Sequence, residues 1–423
     1  MADIKDLNIE KEIFPLFDYT NNDFSSKAIL QIMQTLPGFE ELCLRQEIIR
    51  AFTKNTHRAY PEYSRADFHQ VYYFTEGLSN SFGEEKNLAG IWQLFFPSKK
   101  IQQRKANIIQ CLFLFQSLRD NFFSKIDTND FPDSFRKILA TVHNFFDQFD
   151  LSNHTELVRR SGFGLTHLRK LERILIASIR SGSMHEFWNN VFTAESYWSI
   201  AKGIVKHGYV FPEFNDKVFS IAGLYHPLLK NPVKNDLTAH ENVIVLTGPN
   251  MSGKSTFLKA VGLSVYLAHI GFAVAASSAT IPFYKVISVA INLTDDLKNG
   301  YSHFMSEIKK LKNVVTEANN SKACFAVFDE LFRGTNAEDA LDITATTING
   351  LAKYNNCLFI ISTHLYQLKN SGLNNHENIG SYFIESSLDG EKPVFSYKLK
   401  KGWSDLKLGK IIFENEGLNK LLG

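Results

Sequence analysis

The chain has 423 residues, of which 44% are hydrophobic and 21% charged, a balance typical of a globular protein with two or three domains. Its 46 basic and 44 acidic residues give a formal net charge of +2, which excludes a generally basic surface, so any contact with nucleic acid has to come from local patches. Four widely separated cysteines exclude a disulfide framework, and the first residues lack the layout of a signal peptide, so we expect a cytoplasmic protein.

The first half of the chain has the patterning of long amphipathic helices. Hydrophobic residues, many of them phenylalanine, recur at steps of three and four in three stretches. These stretches are residues 108–122, 135–149 and 165–179. The pattern predicts an all-helical domain over residues 1–212, with its core on the apolar faces of the helices.

The most basic stretch of this half contains Lys99, Lys100, Arg104 and Lys105. These residues could contact a phosphate backbone. A solvated helix start would carry the same charges, and this second interpretation is favoured because most charge runs are simply surface.

After residue 212 the pattern changes to short apolar runs that alternate with helical stretches. The runs predict β-strands at residues 218–221, 243–247, 286–291, 323–328 and 357–362. Strands that alternate with helices indicate an α/β domain over residues 213–423, with a mostly parallel sheet covered on both faces. The apolar stretch 261–281 is read as helix, turn and strand inside this core rather than as a membrane span.

A phosphate-binding loop follows the second of these runs. The loop and the start of the next helix are Gly248, Pro249, Asn250, Met251, Ser252, Gly253, Lys254, Ser255 and Thr256. Glycines at both ends of the loop allow turns in which successive N–H groups face an anion. Lys254 can reach the outer phosphates of ATP, Ser255 offers a hydroxyl to Mg²⁺, and Thr256 can donate to a further phosphate oxygen.

Two further predicted strands end in residues that could serve the same nucleotide. Asp329 and Glu330 follow an apolar run, where Asp329 could hold Mg²⁺ and Glu330 could polarise the attacking water. His364 ends the next run and could sense the γ-phosphate, although a capping histidine is the plain alternative. The carboxyl ends of parallel strands meet at one edge of a sheet, so these residues are predicted to share one site.

In order and spacing, these motifs resemble the ATPase domain of the MutS DNA mismatch repair family. Besides the loop, the resemblance rests on residues 295–297, 302–307, 329–336 and 362–364, with 209–212 and 225–229 upstream. It covers roughly residues 190 to 415 and is specific, because Pro-Asn-Met is unusual in a phosphate loop. The implied fold is an ABC-like P-loop NTPase domain preceded by a helical lever domain.

The resemblance implies an ATPase whose composite site forms in a homodimer and moves helical arms on double-stranded DNA, with other repair proteins as partners and no membrane. Ser302 is implied to cap the γ-phosphate bound by the partner subunit, with Thr335 and Asn336 at the same interface. Leu228 is implied to lie under the adenine, where the family commonly has an aromatic residue. Phe332 stands in place of a customary glycine.

The family's other parts are not recognised in this sequence. The residues before the ATPase domain are too few for a mismatch-reading domain, a connector, a lever and a clamp together. We therefore expect a reduced lever with at most a short clamp, and we expect no mismatch recognition by this chain itself.

Two other classes of function remain. The chain could be a nucleotide-switched module for protein interaction that has lost contact with DNA, which its near-neutral charge favours. A P-loop kinase for a small metabolite is disfavoured, because such an enzyme needs neither Glu330 beside Asp329 nor a helical arm of this length.

Overall fold

The computed structural model describes residues 2–81, 99–291, 303–332, 334–371, 373, 376–390, 392–404, 411, 413, 417 and 421–422. The chain forms two compact units, each with dense internal contacts. The helical unit consists of residues 14–35 and 43–207, and the sheet unit of residues 1–13, 36–42 and 208–423. The α/β fold preceded by a helical region is as the sequence predicts. The structure differs from the predicted boundary at 212/213 in that residues 1–13, 36–42 and 208–212 belong to the sheet unit.

The helical unit is built from the helices α1 Asp23–Gln34, α2 Phe39–Thr53, α3 Arg65–Ser81, α4 Lys99–Ser117, α5 Asp133–Asp147, α6 Leu151–Arg159, α7 Leu165–Ser181 and α8 Ser183–His207. Of these, α5 and α7 begin and end close to predicted stripes, and α4 contains most of a third stripe. α2 begins in the sheet unit and continues in the helical unit. A π-helical turn, Leu118–Phe122, extends α4. Pro132 is the N-cap of α5, where its missing N–H leaves no helical hydrogen bond unmade.

Aromatic rings form the core of the helical unit. Phe115, Phe145, Phe187 and Trp188 are buried, and the rings of Phe145 and Phe187 stack with their centroids 4.1 Å apart. The ring of Phe115 meets that of Phe187 edge to face at 5.3 Å. Such aromatic pairs contribute about 0.5–1.5 kcal/mol each beyond the area they bury. Phe115, Phe145, Leu168 and Leu175 of the predicted stripes are therefore core in the structure, whereas Leu165, which begins the third stripe, is 49% exposed.

A buried carboxylate joins α8 to the start of α1. Glu195 is fully buried, and its side chain accepts hydrogen bonds from the backbone N–H of Asn21 (2.9 Å), Asn22 Nδ2 (2.7 Å), Ser25 Oγ (3.0 Å) and Tyr63 Oη (2.6 Å). Asn22 is also the N-cap of α1 and accepts from the backbone N–H groups of residues 24 and 25. Because every one of these donors is satisfied inside the unit, the segment before α1 is fixed to α8.

The main sheet of the sheet unit has seven strands in the order β1-β7-β8-β9-β5-β10-β11. They are β1 Ala2–Asp3, β5 Val243–Thr247, β7 Val286–Ala290, β8 Cys324–Phe328, β9 Leu358–Ser362, β10 Ile379–Asp389 and β11 Lys392–Lys401. All neighbours are parallel except β10 and β11. Strands β5, β7, β8 and β9 are buried along their whole length, as expected for a parallel sheet covered on both faces.

Helices α9 Lys254–His269, α10 His303–Asn319 and α11 Ala337–Leu351 accompany this sheet. A second sheet of four strands has the order β2-β6-β3-β4, with β2 Glu213–Phe214, β3 Phe219–Leu224, β4 Asn235–Ala239 and β6 Ser278–Ile281. The strand predicted at 218–221 is therefore part of this second sheet, whose β3 pairs antiparallel to both neighbours. Apolar patterning predicts a strand but cannot assign it to a sheet.

The N-terminal segment adds an edge strand that the sequence does not reveal. β1 pairs with β7, with Ala2 opposite Ile287. The Asp6 carboxylate then accepts a hydrogen bond from the backbone N–H of Ile291 at 2.8 Å, and Leu7 is buried. A two-residue strand is too short for a periodic pattern, so only the tertiary contacts identify it.

The apolar stretch 261–281 forms the second half of α9, a turn and strand β6, as predicted. Among the described residues, no helix combines the length and the apolar character needed to cross a membrane. His269, in the last turn of α9, is buried. Its Nδ1–H donates to the carbonyl oxygen of Val265 at 2.7 Å, and its Nε2 accepts from the backbone N–H of Tyr284 at 2.8 Å.

We expect His269 to make the protein less stable in mild acid. Burial lowers the pKa of His269 to about 4, from 6.5 in an unfolded chain. The unfolded chain therefore binds the proton first, and the free energy of unfolding falls as pH drops from 6.5 to 4, by roughly 3 kcal/mol in total. Urea unfolding measured at several pH values between 7 and 4 checks this.

His269→Gln is the control, because it removes the titrating ring. It should be less stable than the parent at neutral pH and should lose less of its remaining stability between neutral pH and pH 4. An equal loss in both proteins over this pH range would contradict the role of His269.

Candidate functional site

The phosphate loop connects β5 to α9 with the geometry of an anion-binding turn. Gly248 and Gly253 have φ values of 146° and 97°, which glycine adopts freely, and Gly253 caps the start of α9. Met251 also has a positive φ, 69°, and its side chain is 73% exposed. Ser252 is fully buried beneath the loop. The loop therefore ends at the N-terminus of a long helix, where backbone N–H groups can bind anions.

Lys254 lies in the first turn of α9 and reaches back over the loop. Its Nζ donates to the carbonyl oxygens of Gly248 at 2.8 Å and Pro249 at 3.1 Å. Burial lowers the pKa of Lys254, while the negative charges of Glu330 and Asp329 oppose this shift. The lysine cation thus lies within electrostatic reach of both acidic residues that the sequence assigns to the site.

Ser255 and Asp329 are in direct contact. Ser255 Oγ donates to Asp329 Oδ2 at 2.5 Å, and Ser362 Oγ donates to the other carboxylate oxygen of Asp329. The backbone N–H of Asp329 donates to the carbonyl oxygen of Ala290 at 2.9 Å, which fixes the end of β8 to the end of β7. A hydroxyl and a carboxylate oxygen side by side are hard ligands of the kind that Mg²⁺ prefers, and such sites usually take few protein ligands besides phosphate and water.

Glu330 and His364 form the second contact pair of the site. His364 Nε2 lies 2.8 Å from Glu330 Oε2. The Glu330 backbone has φ 57°, a left-handed conformation, and its N–H donates to both the carbonyl and the hydroxyl oxygen of Ser362 at 3.1 Å. Strained residues of this kind concentrate at functional sites, where surrounding contacts hold them. The ends of β8 and β9 are thereby tied together.

Phe332, which stands where the resembled family has a glycine, is also left-handed, with φ 64°. Its ring is buried and meets the ring of Phe304 at a centroid distance of 6.1 Å. Its N–H donates to the carboxylate of the buried Glu307 at 2.8 Å. A glycine would adopt this backbone without the cost of about 1–2 kcal/mol that a side chain adds, and here the buried phenyl ring offsets that cost.

A cavity of about 310 Å³ opens beside the phosphate loop. Its lining includes Tyr225, Leu229, Tyr397, Gly253 and Thr256. The cavity is mostly apolar with aromatic walls, which suits a flat ring system joined to a phosphate chain.

The structure places Leu228 differently from the sequence expectation. Leu228 is 42% exposed and is not among the residues that line the cavity, whereas its neighbour Leu229 is. Tyr397 is a lining residue that sequence reasoning missed. The β10–β11 pairing shifts register between Ile384 and Ser386, and Tyr397 adopts a left-handed φ of 57° there, with its ring close to Gly253. A bulge of this kind re-aims one side chain, and no local pattern marks it.

Other residues of the implied dimer interface are placed in part. Ser302 lies outside the described residues, as do residues 295–297 of the resembled motif. Asn336 is described and acts as the N-cap of α11, accepting from the backbone N–H of Asp339 at 2.9 Å. Its helix-capping role is therefore clear, while the roles of Ser302, Thr335 and Asn336 at an interface stay predictions.

The fold and the site together define a P-loop nucleotide-binding domain preceded by a helical region. A phosphate loop after β5, an Asp-Glu pair after β8 and a histidine after β9 meet at one edge of a mainly parallel sheet. This is the edge at which α/β sheets bind their ligands.

Comparison with known proteins finds similarity to one family over part of the chain. Residues 244–419 match the family model described as MutS domain V. The DNA mismatch repair protein MutS of Fusobacterium nucleatum is 32% identical over 247 residues, which are 56% of this chain and 27% of that protein. The MutS protein of Pelotomaculum thermopropionicum is 29% identical over 299 residues, which are 67% of this chain and 34% of that protein. The MutS protein of Thermus aquaticus is 34% identical over 227 residues, which are 53% of this chain and 27% of that protein.

Residues 244–419 are therefore similar to MutS domain V, and the predicted resemblance to the MutS family is confirmed over this part of the chain. The chain spans about a quarter to a third of the length of these relatives.

Proposed function

We propose that this chain is a DNA-associated ATPase of the MutS type, which binds ATP with Mg²⁺ at the edge of its main sheet and hydrolyses it. The observation that carries the proposal is the meeting of five side chains from three chain segments. Ser255 contacts Asp329, Glu330 contacts His364, and Lys254 is within electrostatic reach of both acids. Few arrangements other than a nucleotide site bring a lysine, a hydroxyl, two carboxylates and an imidazole together beside a glycine-rich loop.

Each residue has a role that its position supports. Amides of the loop and Lys254 hold the β- and γ-phosphates, and Ser255 and Asp329 hold Mg²⁺, which when bound offsets the charge of those phosphates. Glu330 orients a water molecule and accepts its proton while the new bond to the γ-phosphorus forms and the bond to the bridging oxygen breaks. His364, in contact with Glu330, keeps that carboxylate in place.

The adenine is proposed to lie in the cavity beside the loop. Tyr225, Leu229 and Tyr397 supply its walls, and Thr256 lies at its phosphate end. In this proposal Leu229 takes the place under the adenine that the resemblance gives to Leu228. Tyr225 and Tyr397 make the aromatic contacts with the base.

The dimer and DNA parts of the proposal rest on the family. The relatives carry the name DNA mismatch repair protein MutS, and this chain aligns with 227 to 299 of their residues. We propose that two chains form a composite site in which Ser302 of one chain completes the phosphate site of the other, and that ATP moves the helical units on duplex DNA. ATP can shift the equilibrium between two arrangements of the helical units only if it binds one arrangement more tightly than the other.

ATP turnover by the purified chain tests this proposal. It is measured with and without Mg²⁺, over a range of protein concentrations, and with and without duplex DNA. Turnover should require Mg²⁺, should rise per chain with concentration because the site needs two chains, and should respond to duplex. Failure to bind ATP would refute the proposal as a whole. Mg²⁺-dependent turnover with no response to duplex and no ATP-sensitive duplex binding would instead favour the nucleotide-switched interaction module.

A further inference from the structure

Two stretches of the helical unit, separate in sequence, carry an unusual share of positive charge. Residues 104–105 of α4 and residues 156–173 of α6, the following turn and α7 hold seven basic side chains and two acidic ones. We call the seven the basic cluster. They are Arg104, Lys105, Arg159, Arg160, Arg169, Lys170 and Arg173. All are exposed except Lys105, which is half-buried.

Contacts between α4 and the α6–α7 region bring these stretches together. The ammonium group of Lys105 lies over the ring of Phe163, 5.7 Å from its centroid, and Phe163 is in the turn between α6 and α7. Glu172 of α7 is within electrostatic reach of Arg104 of α4 and Arg169 of α7. Burial raises the pKa of Glu172, and the two arginines oppose that shift. Arg173 follows Arg169 by one helical turn, so both lie on the same face of α7.

The acids within these stretches leave most of the positive charge uncompensated. Glu156 pairs with Arg160, one turn further along α6, and Glu172 lies between Arg104 and Arg169. The net charge of the two stretches is +5, whereas that of the whole chain is +2. The rest of the chain is therefore slightly acidic, and the basic cluster is a local concentration of positive charge.

We propose that the basic cluster is a binding surface for the phosphate backbone of double-stranded DNA. The inference rests on the proposed DNA-associated function and assigns the contact to a surface. Five of the seven residues are arginines. The planar guanidinium group of arginine can donate two parallel hydrogen bonds to the oxygens of one phosphate. A cluster on rigid helices suits a duplex, which presents regularly spaced phosphates.

An anionic membrane fits this surface less well. Membrane-bound basic helices insert an apolar face between the headgroups. The apolar face of α7 is already used in the core of the helical unit, where Leu168, Leu171 and Leu175 are buried. What α7 offers to a partner is mainly charge.

The test compares duplex binding by two charge-matched triple variants of the full chain. Arg104→Gln, Arg169→Gln and Arg173→Gln together remove three charges from the cluster. Lys54→Gln, Arg58→Gln and Lys137→Gln remove three exposed charges elsewhere on the helical unit. Fluorescence anisotropy of a labelled duplex, over a series of salt concentrations, gives the affinity and its salt dependence.

We expect the cluster variant to bind duplex about 10 to 100 times more weakly near 0.1 M salt, and its slope of log affinity against log salt to be shallower by about 2 to 3, because each lost phosphate contact removes about 0.9. The control variant should match the parent. ATP turnover without DNA should be equal in all three proteins, which shows that the variants are folded.

An unchanged affinity and slope in the cluster variant, with the parent binding duplex, would overturn the inference and leave the proposed function standing. No duplex binding by the parent would overturn both. A cluster variant that loses binding to anionic lipid vesicles while retaining duplex binding would overturn the inference in favour of a membrane surface.

Discussion

Replacing Glu330 with glutamine is expected to lower the rate of ATP hydrolysis by about 10² to 10⁴ fold while ATP remains bound. Glutamine has nearly the same shape and can still lie beside His364, which contacts Glu330 at 2.8 Å. It cannot accept a proton from water. Because the loop, Lys254 and Asp329 are untouched, binding energy to the phosphates should be retained. Single-turnover hydrolysis and nucleotide binding, measured on the same preparation, check both halves of this expectation.

Lys254→Ala is the control for binding. The lysine cation is buried against the loop, and its removal should abolish nucleotide binding rather than slow the chemical step alone. A Glu330→Gln variant that hydrolyses ATP at the parental rate would show that another group orients the water. If Lys254→Ala bound ATP normally, the phosphates would have to lie elsewhere.

Replacing Glu195 with alanine is expected to destabilise the helical unit by about 3–5 kcal/mol. The change removes the acceptor of two hydroxyl donors, Ser25 Oγ and Tyr63 Oη. It also removes the link between α8 and the N-terminus of α1. Denaturant unfolding, followed by the fluorescence of the buried Trp188 and Trp198, measures the loss.

Glu195→Gln separates hydrogen bonding from packing. Its amide has the volume of the carboxylate but keeps only one acceptor oxygen, so a smaller loss of about 1–3 kcal/mol is expected. Equal stability of the alanine variant and the parent would mean that the donors find other partners. A glutamine variant less stable than the alanine variant would mean that the amide N–H groups clash with the existing donors.

The elements predictable from sequence are those defined by local rules. Strand β5 begins and ends at the predicted residues, 243 and 247, because a buried parallel strand is a continuous apolar run and the glycine-rich loop ends it. The hydrophobic stripes of α5 and α7 are likewise helical, because steps of three and four place hydrophobic residues on one face.

Other residues of the site depend on pairings that no local pattern encodes. Ser362 was recognised in its motif, but its hydrogen bonds to Asp329 and Glu330 arise because β8 and β9 are neighbours. Tyr397 reaches the phosphate loop through a bulge in β11, about 140 residues further along the chain. Leu228 and Leu229 differ by one position, and only the turn that follows β3 decides which of them lines the cavity.

The sequence by itself determined the phosphate loop, the acidic pair and the histidine, because the chemistry of a nucleotide phosphate requires those residue types at those places after strands. Tertiary structure alone decided the order of the strands, the attachment of residues 2–13 to the sheet edge and the approach of Arg104 of α4 to Glu172 of α7. These are contacts between distant segments, and their energies come from packing and pairing across space, which one-dimensional spacing does not record.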